Sequence, residues 1–213
     1  MKLERGLFLT FEGIDGSGKS TQIEYLEKDI QKTGLDHIFI REPGGSSISE
    51  QIREVLLRQR NQEMVAETEL LLFAAARAQL VAEVIKPALE QGKIVISDRF
   101  YDSTTAYQAY GRQMDLAFIQ QLNAYASQGL EPDLTFYLDL KVDSALARLA
   151  DRSHKTDRID EAGRDFMTRT RQGYLKIAEE NPQRFTVLAA DRPADEIYSC
   201  LKRSLQNRYN IFN

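Results

Sequence analysis

The stretch Gly13-Ile14-Asp15-Gly16-Ser17-Gly18-Lys19-Ser20 meets the phosphate-loop pattern G-x-x-x-x-G-K-[ST] at every fixed position. Each residue type has a physical reason to stand where it does. Gly13, Gly16 and Gly18 carry no Cβ, so the backbone can turn tightly and come close to an anion. The amides along this loop, up to Thr21, then form a concave nest for phosphate oxygens, and a helix N-terminus adds its positive end. Lys19 supplies a full positive charge for β- and γ-phosphates, and Ser20 a hydroxyl for Mg²⁺, a hard cation that prefers oxygen. The context agrees. The apolar run Leu7-Phe8-Leu9-Thr10-Phe11 precedes the loop, and residues 21–32 follow with Ile23, Leu26 and Ile30 on one helical face. Strand, glycine loop, helix is the order such a site requires. The implied ligand is ATP or GTP; the loop alone does not say what is done with it.

A chain of 213 residues suits one large domain with a substantial core. An apolar fraction of 42% and a charged fraction of 28% are ordinary for a soluble globular protein. No apolar run reaches the roughly 20 residues of a membrane span. Met1-Lys2-Leu3-Glu4-Arg5 leads straight into the first strand and leaves no room for a signal peptide. Cys200 is the only cysteine, which excludes an internal disulfide, and it reads as a packing residue of the last helix. These features point to the cytoplasm. The net charge of −4 gives no general drive towards nucleic acid, and two histidines with one cysteine argue against a transition-metal site.

Further along, Gly34 closes the first helix and residues 37–40 read as a second strand, ending in Arg41-Glu42-Pro43-Gly44-Gly45. Ser47-Ile48-Ser49-Glu50 reads as a capping box opening a helix that turns Ile52, Val55 and Leu56 inward. A long helix runs from about residue 68 through Phe73, Arg77 and Val81, is kinked or restarted at Pro87 and ends at Gly92. Residues 94–97 form the third strand and lead into Asp98-Arg99; short helical pieces follow at 103–110 and 116–127. Residues 134–138 and 185–188 are strands, with helices predicted at 142–150, 166–180 and 193–206. Residues 151–160 are polar, basic and without an apolar period, so they read as a loop. Strands alternate with helices and are near-continuous apolar runs, which predicts an α/β fold with a parallel sheet covered on both faces. Ligands in such folds sit beyond the carboxyl ends of the strands, where the phosphate loop, the 41–45 loop, Asp98-Arg99 and the 189–192 loop converge.

Three groups bear on the chemistry. Asp98 at a strand end is placed as a carboxylate near Mg²⁺ would be, or as half of a structural pair with Arg99. Arg148, Arg152, Lys155 and Arg158 surround the polar loop; they are either a solvated face or a lid that brings positive charge to a migrating phosphoryl group. Phe73 and Arg77 lie four apart on one helix and could clamp a nucleobase, although spacing alone favours core packing for one and a surface ion pair for the other. No N-K-x-D guanine reader is present, and the chain is short for a transport or motor ATPase; a small chain with a basic lid suggests a small-molecule kinase.

Taken together, Phe11 through Ser20, Arg41-Glu42-Pro43-Gly44-Gly45, Phe73 with Arg77, Asp98-Arg99-Phe100, Ser103-Thr104-Thr105-Ala106-Tyr107-Gln108 and Asp157-Arg158-Ile159 resemble the thymidylate kinase family over nearly the whole chain. The resemblance implies a P-loop nucleoside-triphosphate hydrolase-like fold: a three-layer α/β sandwich with a five-stranded parallel sheet, in one domain spanning residues 1–213 with a lid at about 148–160. It implies Mg²⁺-dependent transfer of the ATP γ-phosphate to dTMP, and a homodimer, with no nucleic-acid polymer or membrane as partner. By resemblance, Phe73 stacks on thymine and Arg77 bonds its carbonyl edge, while Thr104 and Gln108, beside Ser103, contact base or sugar. Tyr107 crowds the 2′ position and Asp15 holds the 3′-hydroxyl. Arg53 and Arg99 grip the dTMP phosphate with Glu12 close by. Arg148 and Arg192 go with the donor nucleotide, Arg192 in the loop bordering adenine. Glycine at position 16 and arginines near the lid resemble the bacterial arrangement, with Arg152 assigned to the γ-phosphate; Gly111-Arg112 departs from the glycine-richer family stretch. The alternatives are another nucleoside-monophosphate kinase, differing in the base pocket, or a nucleotide-binding module without transfer activity.

Overall fold

The structure is a computed structural model that describes residues 5–151 and 163–212. The expected lid loop falls largely outside it, and with it Arg152, Lys155, Asp157, Arg158 and Ile159. Among the described residues five strands form one sheet: β1 (Leu7–Glu12), β2 (His37–Arg41), β3 (Ile94–Asp98), β4 (Leu134–Asp139) and β5 (Phe185–Ala189). All neighbours are parallel, in the order β2-β3-β1-β4-β5. The register pairs Phe11 with Asp98 and Arg41 with Asp98, so β1, β2 and β3 end together at one edge. From adjacent β1 and β3 the chain leaves to opposite sides, towards β2 and towards β4, which opens a crevice between their carboxyl ends.

The two faces of β1 sort by the period of two that strand geometry imposes. Leu7, Leu9 and Phe11 enter a core with Leu26 and Ile30 of α1 (Lys19–Thr33) and Leu201 and Leu205 of α9 (Ala194–Tyr209). Phe8 enters the opposite layer, against Leu80, Val95 and Phe100. Thr10 and Glu12 share that second face; Thr10 Oγ1 lies 2.8 Å from Thr135 Oγ1, and Glu12 emerges at the crevice.

α2 (Ser47–Leu57) and α3 (Ala66–Leu80) follow β2. α3 runs on through a π-helical turn (Val81–Ile85) into α4 (Lys86–Glu90). Pro87 offers no N–H to the ladder; just before it, the Lys86 amide reaches back to the Val81 carbonyl, and the helix widens and then restarts as α4, where a kink or a restart was expected. After β3 come α5 (Tyr101–Thr104), a π-helical segment (Thr105–Gly111) and α6 (Leu116–Ala126). α7 (Val142–Ala150) and α8 (Gly163–Glu180) follow β4.

Three local expectations are corrected. Cys200 is exposed rather than packed, because Ile197, Leu201 and Leu205 set the buried face of α9. Val55 is likewise exposed, while its neighbour Leu56 is buried. The N-cap of α2 is Ser46, one residue earlier than the expected box; Glu50 turns back to accept the Gly45 N–H at 2.8 Å and pairs with Arg41.

Candidate active site

The phosphate loop bridges β1 and α1 in a conformation that side chains would block. Gly13 has φ +144°, and a Cβ there would meet the Leu138 carbonyl oxygen at 2.7 Å. At Gly16, φ +83°, a Cβ would meet the Ala145 carbonyl oxygen at 2.8 Å. Gly18 caps α1 in the left-handed region without any side-chain cap, which leaves the first amides of the helix for an anion. Ile14 is buried beneath the loop, and the buried Ser17 Oγ has no protein partner. Thr21 is half-buried on the first turn of α1.

Two cations share one resting acceptor. Lys19 Nζ and Arg99 Nη1 each donate to the Gly13 carbonyl at 3.0 Å. Arg99 follows β3 with φ +74°, a conformation that non-glycine residues adopt at a cost. Three contacts hold it there. The Arg99 amide donates to Phe11 O (3.0 Å), Ser97 Oγ donates to Arg99 O (2.6 Å), and the next amide, Phe100 N–H, donates to Glu12 Oε1 (2.7 Å). The guanidinium then reaches Asp15 Oδ1 at 2.7 Å, Tyr107 Oη at 3.1 Å and Ser103 Oγ at 3.0 Å. Tyr107 Oη in turn donates to Asp15 Oδ2 at 2.9 Å.

The two loop carboxylates titrate in opposite directions. Burial, with the nearby Asp102 charge, pushes Glu12 up to about 7, against the pull of Arg99, Ser103 and Tyr174. Burial also raises Asp15, but the cations Arg99 and Lys19 outweigh it and hold that group at about 2. Lys19 is moved down by burial and by the neighbouring Arg99 charge.

At the other end of the cleft Arg77 is buried, 2% exposed, where a surface ion pair was the reading that spacing favoured. Its Nε donates to Glu42 Oε2 (2.8 Å), Nη1 to Asn123 Oδ1 (3.2 Å) and Nη2 to Thr104 Oγ1 (3.0 Å). Its guanidinium carbon lies 5.5 Å from the Phe100 ring centroid. Glu42 Oε1 is buried and has no protein partner, and burial raises this carboxyl despite Arg77. Phe73, half-buried one turn before Arg77, lines the cleft instead of the core, and Gln108 lines it while donating to Glu69 Oε1 at 2.9 Å. Arg53 lines the wall between the two ends and donates to Pro43 O at 2.7 Å.

One continuous cleft thus joins an anion-binding loop, with two cations in reach of it, to a slot bounded by an aromatic ring and a fixed guanidinium. A family model described as thymidylate kinase matches residues 11–199. The chain belongs to the thymidylate kinase family. It is 47% identical over 210 residues to thymidylate kinase of Prosthecochloris aestuarii, covering 95% of this chain and 94% of that one. Identity to the thymidylate kinase of Chlorobaculum tepidum is 48% over 200 residues, covering 90% and 93%. The crystal structure of thymidylate kinase from Ehrlichia chaffeensis superposes with a TM-score of 0.77 at 35% identity, covering 95% of this chain and 99% of that one.

Most of the residues singled out from the sequence of this thymidylate kinase family member meet in the cleft: Asp15, Lys19, Ser20, Arg53, Phe73, Arg77, Asp98, Arg99, Ser103, Thr104, Tyr107 and Gln108 all line it. Glu12 stands behind them, fully buried. Arg148 lies to the side, donating to Gly16 O (3.2 Å) and Ala190 O (2.9 Å), and Arg192 is exposed on the loop after β5. Asp98 Oδ1 is buried without a protein partner and shares the cleft with the exposed Ser20; two oxygen donors of this kind suit a hard divalent cation. Sequence reasoning missed three residues: Glu42 and Asn123, which hold Arg77, and Tyr174, whose hydroxyl donates to Glu12 Oε2 at 2.7 Å. Glu42 lay inside a quoted motif, but Asn123 and Tyr174 carried no local signal.

Proposed function

We propose that this chain transfers the γ-phosphate of ATP to dTMP, giving dTDP and ADP. The observation that carries the reading is the single cleft joining the Lys19 loop to the Phe73–Arg77 slot. An acceptor whose base lies against Phe73 and Arg77 directs its phosphate towards Arg53 and Arg99, in line with the donor's phosphates on the loop.

The acceptor is already a phosphate oxyanion, so no strong general base is needed, and catalysis rests on positioning and charge neutralisation. Lys19 leaves the Gly13 carbonyl for the donor's β- and γ-oxygens. Arg99 leaves the same carbonyl for the acceptor phosphate, while Glu12 keeps its backbone in place. Asp15, ionised at neutral pH, accepts from the sugar hydroxyl, and Tyr107 narrows the space beside it. Ser103, Thr104 and Gln108 complete the acceptor's wall. The loop from Gly13 to Thr21 holds the donor phosphates, and Arg148 and Arg192 border the rest of that nucleotide. Ser20 and Asp98 would hold Mg²⁺, which supplies charge neutralisation on the phosphates when bound. Arg152 carries the remaining charge in this proposal, by the resemblance to the bacterial arrangement of the family. The chain works as one kinase domain with a lid at about 148–160, in the cytoplasm.

A homodimer accompanies this reading. α3 packs against both α2 and α6, and these three helices expose Ile48, Val55, Leu71, Phe118 and Tyr125, the last 82% accessible. Sedimentation of the purified chain tests it. The activity is tested by ADP formation from Mg·ATP with dTMP, dUMP, dCMP, AMP, GMP, thymidine or no acceptor. A strong preference for dTMP supports the assignment. Preference for another acceptor overturns the base pocket, and ADP release that ignores every acceptor overturns the transfer. An Asp98→Asn variant that still works equally well at low Mg²⁺ would remove Asp98 from the metal site.

A further inference from the structure

Arg77 has five N–H donors in a fixed fork, and protein acceptors take one at each of its three nitrogens. Two remain uncommitted on a residue that lines the cleft. Where those two point depends on how the guanidinium plane is held. Glu42 holds it at Nε through Oε2 and Thr104 Oγ1 at Nη2, which leaves the Nη1 side to be anchored. The restraint at Nη1 comes from Asn123, which is 4% exposed on the inner face of α6 and does not line the cleft. Its amide is fixed in turn: Nδ2 donates to Thr105 Oγ1 at 3.0 Å and to the Tyr101 carbonyl at 3.3 Å. A flipped amide would set N–H against the guanidinium and an oxygen against the Tyr101 carbonyl, so only one orientation fits.

We propose that Asn123 is a specificity-determining positioning residue: it fixes the Arg77 guanidinium so that its two uncommitted N–H groups present a donor edge to the acceptor's base, favouring a ring carbonyl and rejecting a ring amino group. The proposal rests on the dTMP reading above. Asn123 acts through Arg77 and never touches the substrate. A donor edge held in one orientation discriminates strongly between a carbonyl and an amino partner, because the wrong ring leaves buried donors unpaired.

The test compares Asn123→Ala with Asn123→Asp. Alanine removes the acceptor for Arg77 and both donors. Aspartate keeps an oxygen facing Arg77 and can accept from the Thr105 hydroxyl, but it loses the donor to the Tyr101 carbonyl. Steady-state constants are measured with dTMP, with dCMP and for ATP, alongside thermal melting. Alanine is expected to raise KM for dTMP about tenfold and to lower the dTMP-over-dCMP ratio of kcat/KM by a similar factor. Its kcat should stay within about twofold and its KM for ATP should not move. Aspartate is expected to keep the ratio near wild type even if it melts earlier. Equal loss of ratio in both variants, or losses spread evenly over kcat and both KM values, would mean that Asn123 merely supports the fold. If alanine does not fold, Asn123→Leu, which keeps the volume and removes the acceptor, is read in its place, and a dTMP-over-dCMP ratio equal to wild type would overturn the role of Asn123. An unmodified enzyme without preference for dTMP would remove the functional reading itself; normal preference with an unchanged ratio in alanine would remove only the role of Asn123.

Discussion

The two ends of the cleft are built on opposite principles. At the base end Arg77 and Glu42 are buried, with partners for Arg77 from α5 and α6, and the ion pair exists before any ligand arrives. At the phosphate end Lys19 and Arg99 share one backbone carbonyl and a partly exposed aspartate, contacts that a phosphate can replace with better ones, and the Ser103 and Tyr107 hydroxyls complete the surroundings of Arg99. The base end is a preset gauge whose cost lies in folding. The phosphate end is a self-neutralised resting arrangement, and its cations become available to the reaction when they exchange partners. Preorganisation serves selection at one end, and exchangeable charge serves catalysis at the other.

The sharpest way to break this contrast is to remove one cation from each end. Arg99→Ala is expected to lower kcat by about a thousandfold at saturating substrates, the scale for losing a preorganised charge in the transition state. It should also cost some stability, because the mostly buried guanidinium pairs with Asp15 and bonds Tyr107 and Ser103, while the left-handed backbone at 99 keeps its contacts with Phe11, Ser97 and Glu12. Arg77→Ala should act on stability first. It leaves Glu42 buried and unpaired, a loss of roughly 3 kcal/mol by urea unfolding, with KM for dTMP raised. Adding Glu42→Gln to Arg77→Ala should return part of that stability without restoring KM. If Arg77→Ala lowered kcat as much as Arg99→Ala, the division of labour would be wrong.

The phosphate end was the more legible of the two in the sequence, for a physical reason. A glycine loop is a local code: backbone conformation, anion nest and helix start lie within a few residues, and Gly13, Gly16 and Gly18 all take positive φ there, while the carbonyls that crowd Gly13 and Gly16 belong to distant Leu138 and Ala145. The alternation of apolar strands and amphipathic helices is local as well, and it carried the parallel sheet. The base end is a long-range construction. Arg77 meets Glu42 across 35 residues and Asn123 across 46, and no periodicity reports such contacts. Spacing alone therefore favoured a surface ion pair for Arg77, and only the family resemblance put it in the pocket. Tyr174 reaches Glu12 across 162 residues and was invisible for the same reason. Cys200 and Val55 were misread because both are small apolar residues beside a buried leucine, Leu201 and Leu56, and which of the two neighbours faces inward is set by distant packing partners.

The carboxylates of the phosphate end offer a finer probe. Glu12 binds its proton more tightly folded than unfolded, so ionising it weakens the fold as pH rises from 4.5 towards about 7, and the effect is complete above that. Asp15 has the opposite sign: its stabilisation is full above 3.8 and is lost as pH falls towards about 2. One unit of pKa difference corresponds to about 1.4 kcal/mol, so the Glu12 slope is measurable by urea titration between pH 5 and 8. Glu12→Gln should flatten that slope while leaving the acid limb in place. A slope unchanged in the variant would assign the titration to another group.

The smallest expected effect tests whether the gauge at the base end is shared among its contacts. Thr104 Oγ1 accepts from Arg77 Nη2 at 3.0 Å, opposite the side held by Asn123. Thr104→Val keeps the shape and removes the acceptor. A hydrogen bond to a charged donor is worth about 1.5 kcal/mol, but here Asn123 and Glu42 still hold the other two nitrogens. KM for dTMP should therefore rise only about threefold to fivefold, with kcat unchanged. The freed Nη2 donor can turn to the ligand, so the dTMP-over-dCMP ratio should hold or improve slightly. A fall in that ratio as large as the one expected for Asn123→Ala would show that neither contact alone sets the plane, and that the orientation belongs to the Glu42–Asn123–Thr104 set as a unit.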